Sequence, residues 1–190
     1  QDYENFAKKI DGVREAIAWN ISGEPWPYIR VAVMAKHANV VDSIFIQEIK
    51  SNLDKHRPIG RRLDISGPTP VPIEIILNVV AKPRQALLSL EHKIMKSIGS
   101  TETNNQDGYF SADQVVFDQT IYPNDIIAAA ATVSGVHQIN LLAFRRLDTS
   151  GPSVAEALSF HDAEIPMLDQ QTNSPAGGHL IIRFEERVFT

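Results

Sequence analysis

The chain has 190 residues, a formal net charge of −5 and 43% apolar residues, a composition that is ordinary for a folded protein and excludes disorder throughout. The absence of cysteine excludes disulfides and thiolate chemistry but does not identify a compartment. Lysine and arginine are scattered, so we expect no nucleic-acid partner. The longest apolar run, Ile126 to Val133, is too short to span a bilayer, so we expect no membrane partner.

The first third of the chain predicts a helix, a pair of strands and a second helix. Residues 2–10 have helical spacing of apolar side chains. Val13 to Trp19 predicts a strand that has Val13, Glu15, Ile17 and Trp19 on one face and Trp19 in the core. A second strand over Tyr28 to Ala35 should pair with it. The next helix should bury one stripe, formed by Val41, Ile44, Phe45, Ile49 and Leu53.

The middle of the chain predicts extended structure over 63–65, a long apolar strand over 71–82 and a helix over 87–98. Residues 101–108 are polar and predict an exposed loop. A short strand over Val115 to Phe117 and a helix from Pro123 or Asn124 to Val133 follow. Gly135-Val136 then leads into a strand over His137 to Arg145, and the last strands are predicted over 158–160 and 179–184.

Two sequence patterns recur along the chain. Val33-Met34-Ala35-Lys36 and the helix after it match Val79-Val80-Ala81-Lys82 and its helix without a gap, and a helix followed by Gly-Val and a strand occurs at Gly12 and at Gly135. The sequence therefore predicts an α+β fold of two tandem related α/β units, with small mixed sheets packed by amphipathic helices. The expected domains are residues 1–70 and 71–190, and the strand over 71–82 should bridge them.

The sequence contains few candidates for catalysis or metal binding. His161-Asp162-Ala163-Glu164 and Asp169 offer metal-ligating atoms, but they lack helical ligand spacing and Pro166 interrupts them, so we interpret the segment as a polar loop whose carboxylates cap turns. Ser150-Gly151-Pro152-Ser153 lacks the Gly-x-Ser-x-Gly pattern of hydrolases and is typical of a turn. Nucleotide-binding fingerprints are absent. We expect no catalytic residue, metal or cofactor.

Two aromatic residues are candidates for an interface. Trp26 lies between Pro25 and Pro27, where an aromatic side chain either folds back on its own hairpin or contacts a partner. Phe189 lies near the end of the chain. The sequence begins with neither Met nor a signal peptide, so we expect a fragment of a longer subunit whose exposed apolar surface includes Trp26 or Phe189.

Several stretches resemble the baseplate J-like proteins of contractile phage tails and related injection systems. They are His56-Arg57-Pro58-Ile59-Gly60 through Ile65, Pro72-Ile73-Glu74-Ile75, Lys82-Pro83, Phe117 to Val136, and Glu164-Ile165-Pro166-Met167-Leu168-Asp169. The likeness covers most of the chain and carries no catalytic residue. Met167 stands where the family usually has arginine.

The resemblance implies a structural subunit of a baseplate wedge or inner ring that packs against copies of itself and other baseplate subunits. It also implies assembly in the bacterial cytoplasm, followed by residence in a phage-tail-like particle. No small-molecule substrate is expected. The alternative is a small-molecule-binding regulatory α/β module, which a pocket with converging polar groups would favour.

Overall fold

The computed structural model describes residues 2–22, 27–36, 41–55, 62–99, 108–168 and 177–185, which form helices and short strands in alternation. The helices are α1 (Asp2–Ala7), α2 (Ser43–Asp54), α3 (Leu87–Ile98) and α4 (Pro123–Ala131). The strands are β1 (Val13–Ile21), β2 (Tyr28–Ala35), β3 (Arg62–Ser66), β4 (Thr69–Ala81), β5 (Thr120–Ile121), β6 (Val136–Arg146), β7 (Leu158–Ser159), β8 (Glu164–Met167) and β9 (His179–Phe184). The predicted α+β fold class is confirmed.

The chain divides into two compact units, and each contains separate stretches of sequence. The first consists of residues 1–69, 116–118 and 160–165. The second consists of residues 70–115, 119–159 and 166–190. The division therefore falls close to the start of β4, but two short later segments belong with the first unit.

The first unit has a sheet of three strands in the order β1-β2-β3. The central strand β2 pairs antiparallel with β1 and parallel with β3. Helices α1 and α2 pack on one face because their apolar residues complete a core with the inward side chains of the strands. That core consists of Ala7, Val13, Ala16, Val31, Val33, Ile49, Leu53, Leu63 and Ile65.

The main sheet of the second unit is built around β4, which is 13 residues long. On one side β4 pairs antiparallel with β6, and it also pairs parallel with β9 and lies next to β8. Alternate β4 residues Ile73, Ile75, Leu77 and Val79 are fully buried, and α4 packs on β6 and on α3. Strands β5 and β7 form a small separate antiparallel pair.

Both units share the same corner between a helix and a strand. Gly12 and Gly135 have φ of +84° and +109°, a region in which other residues are strained. The Lys36 N–H donates to the Gly12 carbonyl at 2.9 Å, and the Lys82 N–H donates to the Gly135 carbonyl at 2.8 Å. A β-bulge follows each glycine, because Arg14 and His137 are extra residues opposite the central strand.

The bulge at Arg14 corrects the predicted position of Trp19. An extra residue reverses the alternation of side chains, so the residues that follow Val13 on the core face are Ala16 and Ala18. Trp19 is half-buried on the opposite face, beside Arg30, and it does not belong to the core. A bulge cannot be recognised from the alternation of apolar residues alone.

The helices confirm most predicted core positions but not all. Ile49 and Leu53 of α2 are buried, whereas Ile44 is 76% exposed although it was predicted on the buried stripe. In α3 the buried residues are Leu90, Ile94 and Ile98, with Met95 half-buried. In the ungapped match of Lys36 to Lys82, Ile49 and Leu53 align with positions 95 and 99. The buried residues of α3 are instead Ile94 and Ile98, one position earlier.

Two later segments differ from their predicted structure. Val115 to Phe117 is not a strand, since Val115 N–H donates to the Ser111 carbonyl in a turn and the next strand begins at Thr120. Both Val115 and Phe117 are buried, which explains their apolar character without a sheet. Residues 164–167, predicted as loop, form β8, and Ile165 is buried there. The loop predicted over 101–108 lies outside the described residues except for Gly108.

Candidate functional site

The two predicted interface residues, Trp26 and Phe189, lie outside the described residues. Their role in binding a partner therefore stays a prediction from the sequence. Strands β1 and β2, which precede and follow Trp26 in the sequence, form the antiparallel pair that the sequence predicted.

Two backbone N–H groups of the polar segment that begins at His161 donate to carboxylates, one within the segment and one in Asp118. The His161 N–H donates to Glu164 Oε2 at 3.2 Å, and the Asp162 N–H donates to Asp118 Oδ1 at 3.0 Å. The predicted capping role of Glu164 is confirmed. Asp169 lies outside the described residues. Within the described part of the chain, no three His, Cys, Asp or Glu side chains are grouped closely enough to hold a metal ion.

Residues 150–153 run along the edge of β6 and line a small cleft. The Phe144 N–H donates to the Ser153 carbonyl at 2.7 Å, and the Ala155 N–H donates to the Phe144 carbonyl at 2.9 Å. The cleft has a volume of about 180 Å³, and its lining includes Arg145, Arg146 and Gly151. Backbone pairing therefore accounts for the position of Ser153.

The face of the first sheet that lies opposite its core carries arginine and aromatic side chains. Arg30 bonds to Asp64 at 3.1 Å through Nε and to the Tyr28 hydroxyl at 3.0 Å through Nη2. The guanidinium of Arg62 lies 5.3 Å from the centre of the Tyr28 ring. Trp19 pairs with Arg30 in the register of the sheet and faces the same way. Tryptophan, tyrosine and arginine are enriched among residues that dominate binding energy in interfaces.

A row of three charged or titratable side chains crosses the sheet of the second unit. Glu74 of β4 pairs in register with Arg145 of β6 on one side and with His179 of β9 on the other. Glu74 Oε2 accepts from Arg145 Nε at 2.5 Å, and Glu74 Oε1 lies 2.9 Å from His179 Nε2. We did not predict this row from the sequence. The available signal was a single carboxylate within an otherwise apolar strand.

Burial and pairing act in opposite directions on the pKa of Glu74. Burial is the largest influence and raises the pKa, but the hydrogen bonds and charges of Arg145 and His179 together outweigh it. The pKa of Glu74 is therefore lower than that of an ordinary glutamate. The buried carboxylate of Glu74 links β4 to β6 through Arg145 and to β9 through His179. The charge therefore stabilises the sheet.

The second unit also contains a cavity of about 360 Å³, lined by Ser97, Gly108, Tyr109, Phe110, Gln114, Gln119 and Ala129. Two of its polar groups already have partners within the protein. The Ser97 hydroxyl donates to the Ala129 carbonyl at 2.7 Å, and the Tyr109 hydroxyl donates to Asp125 Oδ2 at 3.4 Å. Burial and the Asp125 carboxylate raise the pKa of Tyr109 to about 12, so Tyr109 stays protonated at neutral pH.

Among the large apolar side chains of the described residues, the two with the highest exposed fractions lie at the starts of helices. Leu88 of α3 is 83% exposed and Ile44 of α2 is 76% exposed. Each lies in the first turn of its helix, away from the buried stripe. In the same described residues, the helices are too short and too polar to cross a bilayer.

Residues 1–66 match the family model described as the Baseplate J-like central domain. This match agrees with the baseplate J-like resemblance seen in the sequence. The matched range coincides closely with the N-terminal stretch of the first compact unit, residues 1–69. No curated protein matches the chain.

Among solved structures, the chain is similar to part of the structure described as "Cryo-EM structure of the anti-feeding prophage (AFP) baseplate, 6-fold symmetrised". The identity is 8% and the TM-score is 0.37, values too low to carry a functional argument. The match covers 86% of this chain and 38% of the other. This chain therefore spans less than half the length of the one it resembles.

Proposed function

We propose that this chain is part of a structural subunit of a contractile-tail baseplate, located in the wedge or inner ring, and that it acts through protein–protein packing rather than catalysis. The observation that carries the proposal is the match of residues 1–66 to the Baseplate J-like central domain. Its partners would be other baseplate subunits and copies of itself. Assembly would take place in the bacterial cytoplasm, before the subunit becomes part of the finished particle.

The proposed contact surface on the first unit is the part of this face where Trp19 and Arg30 are half-buried and Arg62 is exposed. Tyr28 is buried beneath the two arginines and supports them. Paired and stacked side chains hold this face in place, since Arg30 bonds to both Asp64 and Tyr28. A surface that is ordered before binding loses less side-chain entropy when a partner docks. Trp26 and Phe189 are further proposed contact residues, on the basis of the sequence alone.

Substitution of Trp26 tests the proposed contact. Trp26→Ala should change the free energy of unfolding by no more than about 1 kcal/mol, as surface substitutions generally do, and it should reduce co-purification of the full-length subunit with its baseplate partners. Chemical denaturation and affinity purification from the same cells measure the two effects. His92→Ala, on an exposed part of α3, is the matched control. Unfolding of the Trp26→Ala variant, or full retention of its partners, would contradict the assignment.

The cavity at Ser97 and Tyr109 favours the alternative of a small-molecule-binding regulatory module. Its volume of about 360 Å³ lies at the low end of the range for ligand pockets. The internal bonds of Ser97 and Tyr109 leave fewer polar groups to recognise a ligand, so we favour assembly. Native mass spectrometry of the purified chain distinguishes the two, because a stoichiometric co-purified small molecule would support the regulatory module.

A further inference from the structure

The cavity of about 360 Å³ in the second unit combines side chains from two helices and from the segment between them. Ser97 belongs to α3 and Ala129 to α4. Tyr109, Phe110 and Gln114 come from the segment between the helices. Among the described residues of the lining, none carries a positive charge. The chemistry of the cavity is therefore set by its hydroxyl and amide groups.

The two hydroxyl groups of the lining use their hydrogens within the protein. The Ser97 hydroxyl donates to the Ala129 carbonyl at 2.7 Å. The Tyr109 hydroxyl donates to Asp125 Oδ2 at 3.4 Å, and it stays protonated at neutral pH because burial and Asp125 raise the pKa of Tyr109 to about 12. Each hydroxyl oxygen keeps a lone pair with which it can accept a hydrogen bond. The two hydroxyls therefore offer acceptors, and a bound group must bring donors.

Gln114 and Asp125 add a third acceptor and a negative charge. Gln114 is exposed, and in the part of the chain that the structure describes its side-chain amide makes no hydrogen bond. Its carbonyl oxygen is therefore available to a donor. The Asp125 carboxylate, which accepts from the Tyr109 hydroxyl and from the Tyr122 N–H at 3.0 Å, lies directly beside the lining. A donor group that is also a cation is favoured by this arrangement.

The aromatic residues of the lining distinguish between the two cations that proteins carry. The rings of Tyr109 and Phe110 are nearly perpendicular, with their centres 5.1 Å apart. Phe110 is fully buried, whereas Tyr109 is half-buried. A guanidinium group is planar, stacks on aromatic rings and carries five N–H donors, whereas an ammonium group is compact and more strongly hydrated. Several acceptors beside an aromatic ring therefore suit a guanidinium better than an ammonium.

We propose that this cavity binds a guanidinium group, and that in the assembled particle the group belongs to an arginine side chain of a neighbouring baseplate subunit. The second part rests on the proposed function, because a neighbouring subunit supplies the arginine. The cavity volume of about 360 Å³ is at the low end of the range for ligand pockets, which suits one side chain. Arginine is also enriched among the residues that dominate binding energy in interfaces.

Titration of the purified chain with three blocked amino acids tests the guanidinium site. The compounds are N-acetyl-arginine amide, N-acetyl-lysine amide and N-acetyl-citrulline amide, the last of which has the shape of arginine without its charge. Binding is followed by NMR through the backbone amide signals of Gly108 and Phe110, which line the cavity. The arginine compound should bind with a Kd of about 1 mM. The lysine and citrulline compounds should bind about tenfold more weakly.

Substitutions in the lining test the assigned acceptors. Gln114→Leu removes an acceptor at an exposed position, so it should weaken binding of the arginine compound about tenfold, equivalent to about 1.4 kcal/mol. Gln114→Glu should strengthen binding about tenfold, because a carboxylate forms charge-assisted hydrogen bonds with a guanidinium. Ala129→Leu should prevent binding, because it adds bulk to the cavity wall and keeps a good helix former in α4. Gln138→Leu, at an exposed position of β6 outside the lining, is the matched control and should bind as the natural chain does.

Equal binding of the arginine and citrulline compounds would overturn the guanidinium site. Undiminished binding in folded Gln114→Leu and Ala129→Leu chains would overturn it as well. These titrations use the isolated chain and need no baseplate. Failure of the cavity site and failure of the proposed function are therefore distinguishable.

Co-purification with the full-length subunit tests the source of the guanidinium group. Ala129→Leu should reduce the recovery of baseplate partners from cells about tenfold relative to Gln138→Leu, because the arginine of the neighbouring subunit no longer enters the cavity. Full recovery of the partners by an Ala129→Leu subunit, in a chain that no longer binds the arginine compound, would overturn the assignment of the arginine to a neighbouring subunit.

Discussion

At the scale of single residues, Glu74 is buried and has one side-chain partner on each neighbouring strand. A carboxylate in an apolar strand is costly unless its charge is compensated. Arg145 and His179 provide that compensation from the neighbouring strands on either side. The arrangement couples the protonation of one side chain to the pairing of three strands.

The lowered pKa of Glu74 makes stability depend on pH. A carboxyl group whose folded pKa is below its unfolded value, about 4.3 for glutamate, stabilises the fold above the unfolded pKa and loses that contribution as pH falls through the folded pKa. Glu74→Gln should be less stable than the natural chain at pH 7 by about 1–3 kcal/mol. It should also lose less stability than the natural chain as the pH is lowered below about 5.

Urea denaturation at several pH values measures both effects. Glu156→Gln is the control, since Glu156 is exposed in the same unit, and its pH profile should match that of the natural chain. Parallel profiles for the natural chain and Glu74→Gln would show that the carboxylate does not contribute to the acid sensitivity.

At the scale of secondary structure elements, the sequence predicted the presence of most helices and strands because their apolar periods are clear. It did not predict on which face of β1 Trp19 lies, since the bulge at Arg14 depends on pairing with β2. Strand β8 was also missed. Its four residues are too short for a period to be recognised, and proline is uncommon inside a strand.

Helix α3 offers a direct comparison of a buried and an exposed aliphatic residue. Ile94 is fully buried, whereas Leu88 on the same helix is 83% exposed. Ile94→Ala should reduce the free energy of unfolding by about 2–5 kcal/mol, because it removes buried methyl groups and leaves a cavity. Leu88→Ala should change it by no more than about 0.5 kcal/mol. Chemical denaturation monitored by circular dichroism measures both, and equal losses would contradict the assigned orientation of α3.

At the scale of the whole molecule, the sequence indicated a family resemblance more readily than it indicated the candidate site. The baseplate J-like resemblance was carried by motifs spread along the chain, and the family match falls on residues 1–66. The row of Arg145, Glu74 and His179 was not predicted, because its members are brought together only by strands that are far apart in sequence. The same holds for the arginine and aromatic face of the first sheet.

The account also predicts that the chain binds no divalent metal specifically. The carboxylates near His161 accept backbone hydrogen bonds and are not arranged as ligands. Calorimetric titration with zinc, manganese or calcium should reveal no site tighter than about millimolar, a free energy near −4 kcal/mol. A micromolar site that disappears in the His161→Ala variant would contradict this prediction.

The central claim is that the chain serves the assembly of a baseplate. Electron microscopy of particles from cells that carry the gene, cells that lack it and cells that regain it tests this claim most directly. We expect loss of the gene to give tubes and sheaths without baseplates, or no complete particles, and restoration of the natural gene to recover them. Complete particles of normal number in cells that lack the gene would contradict the account.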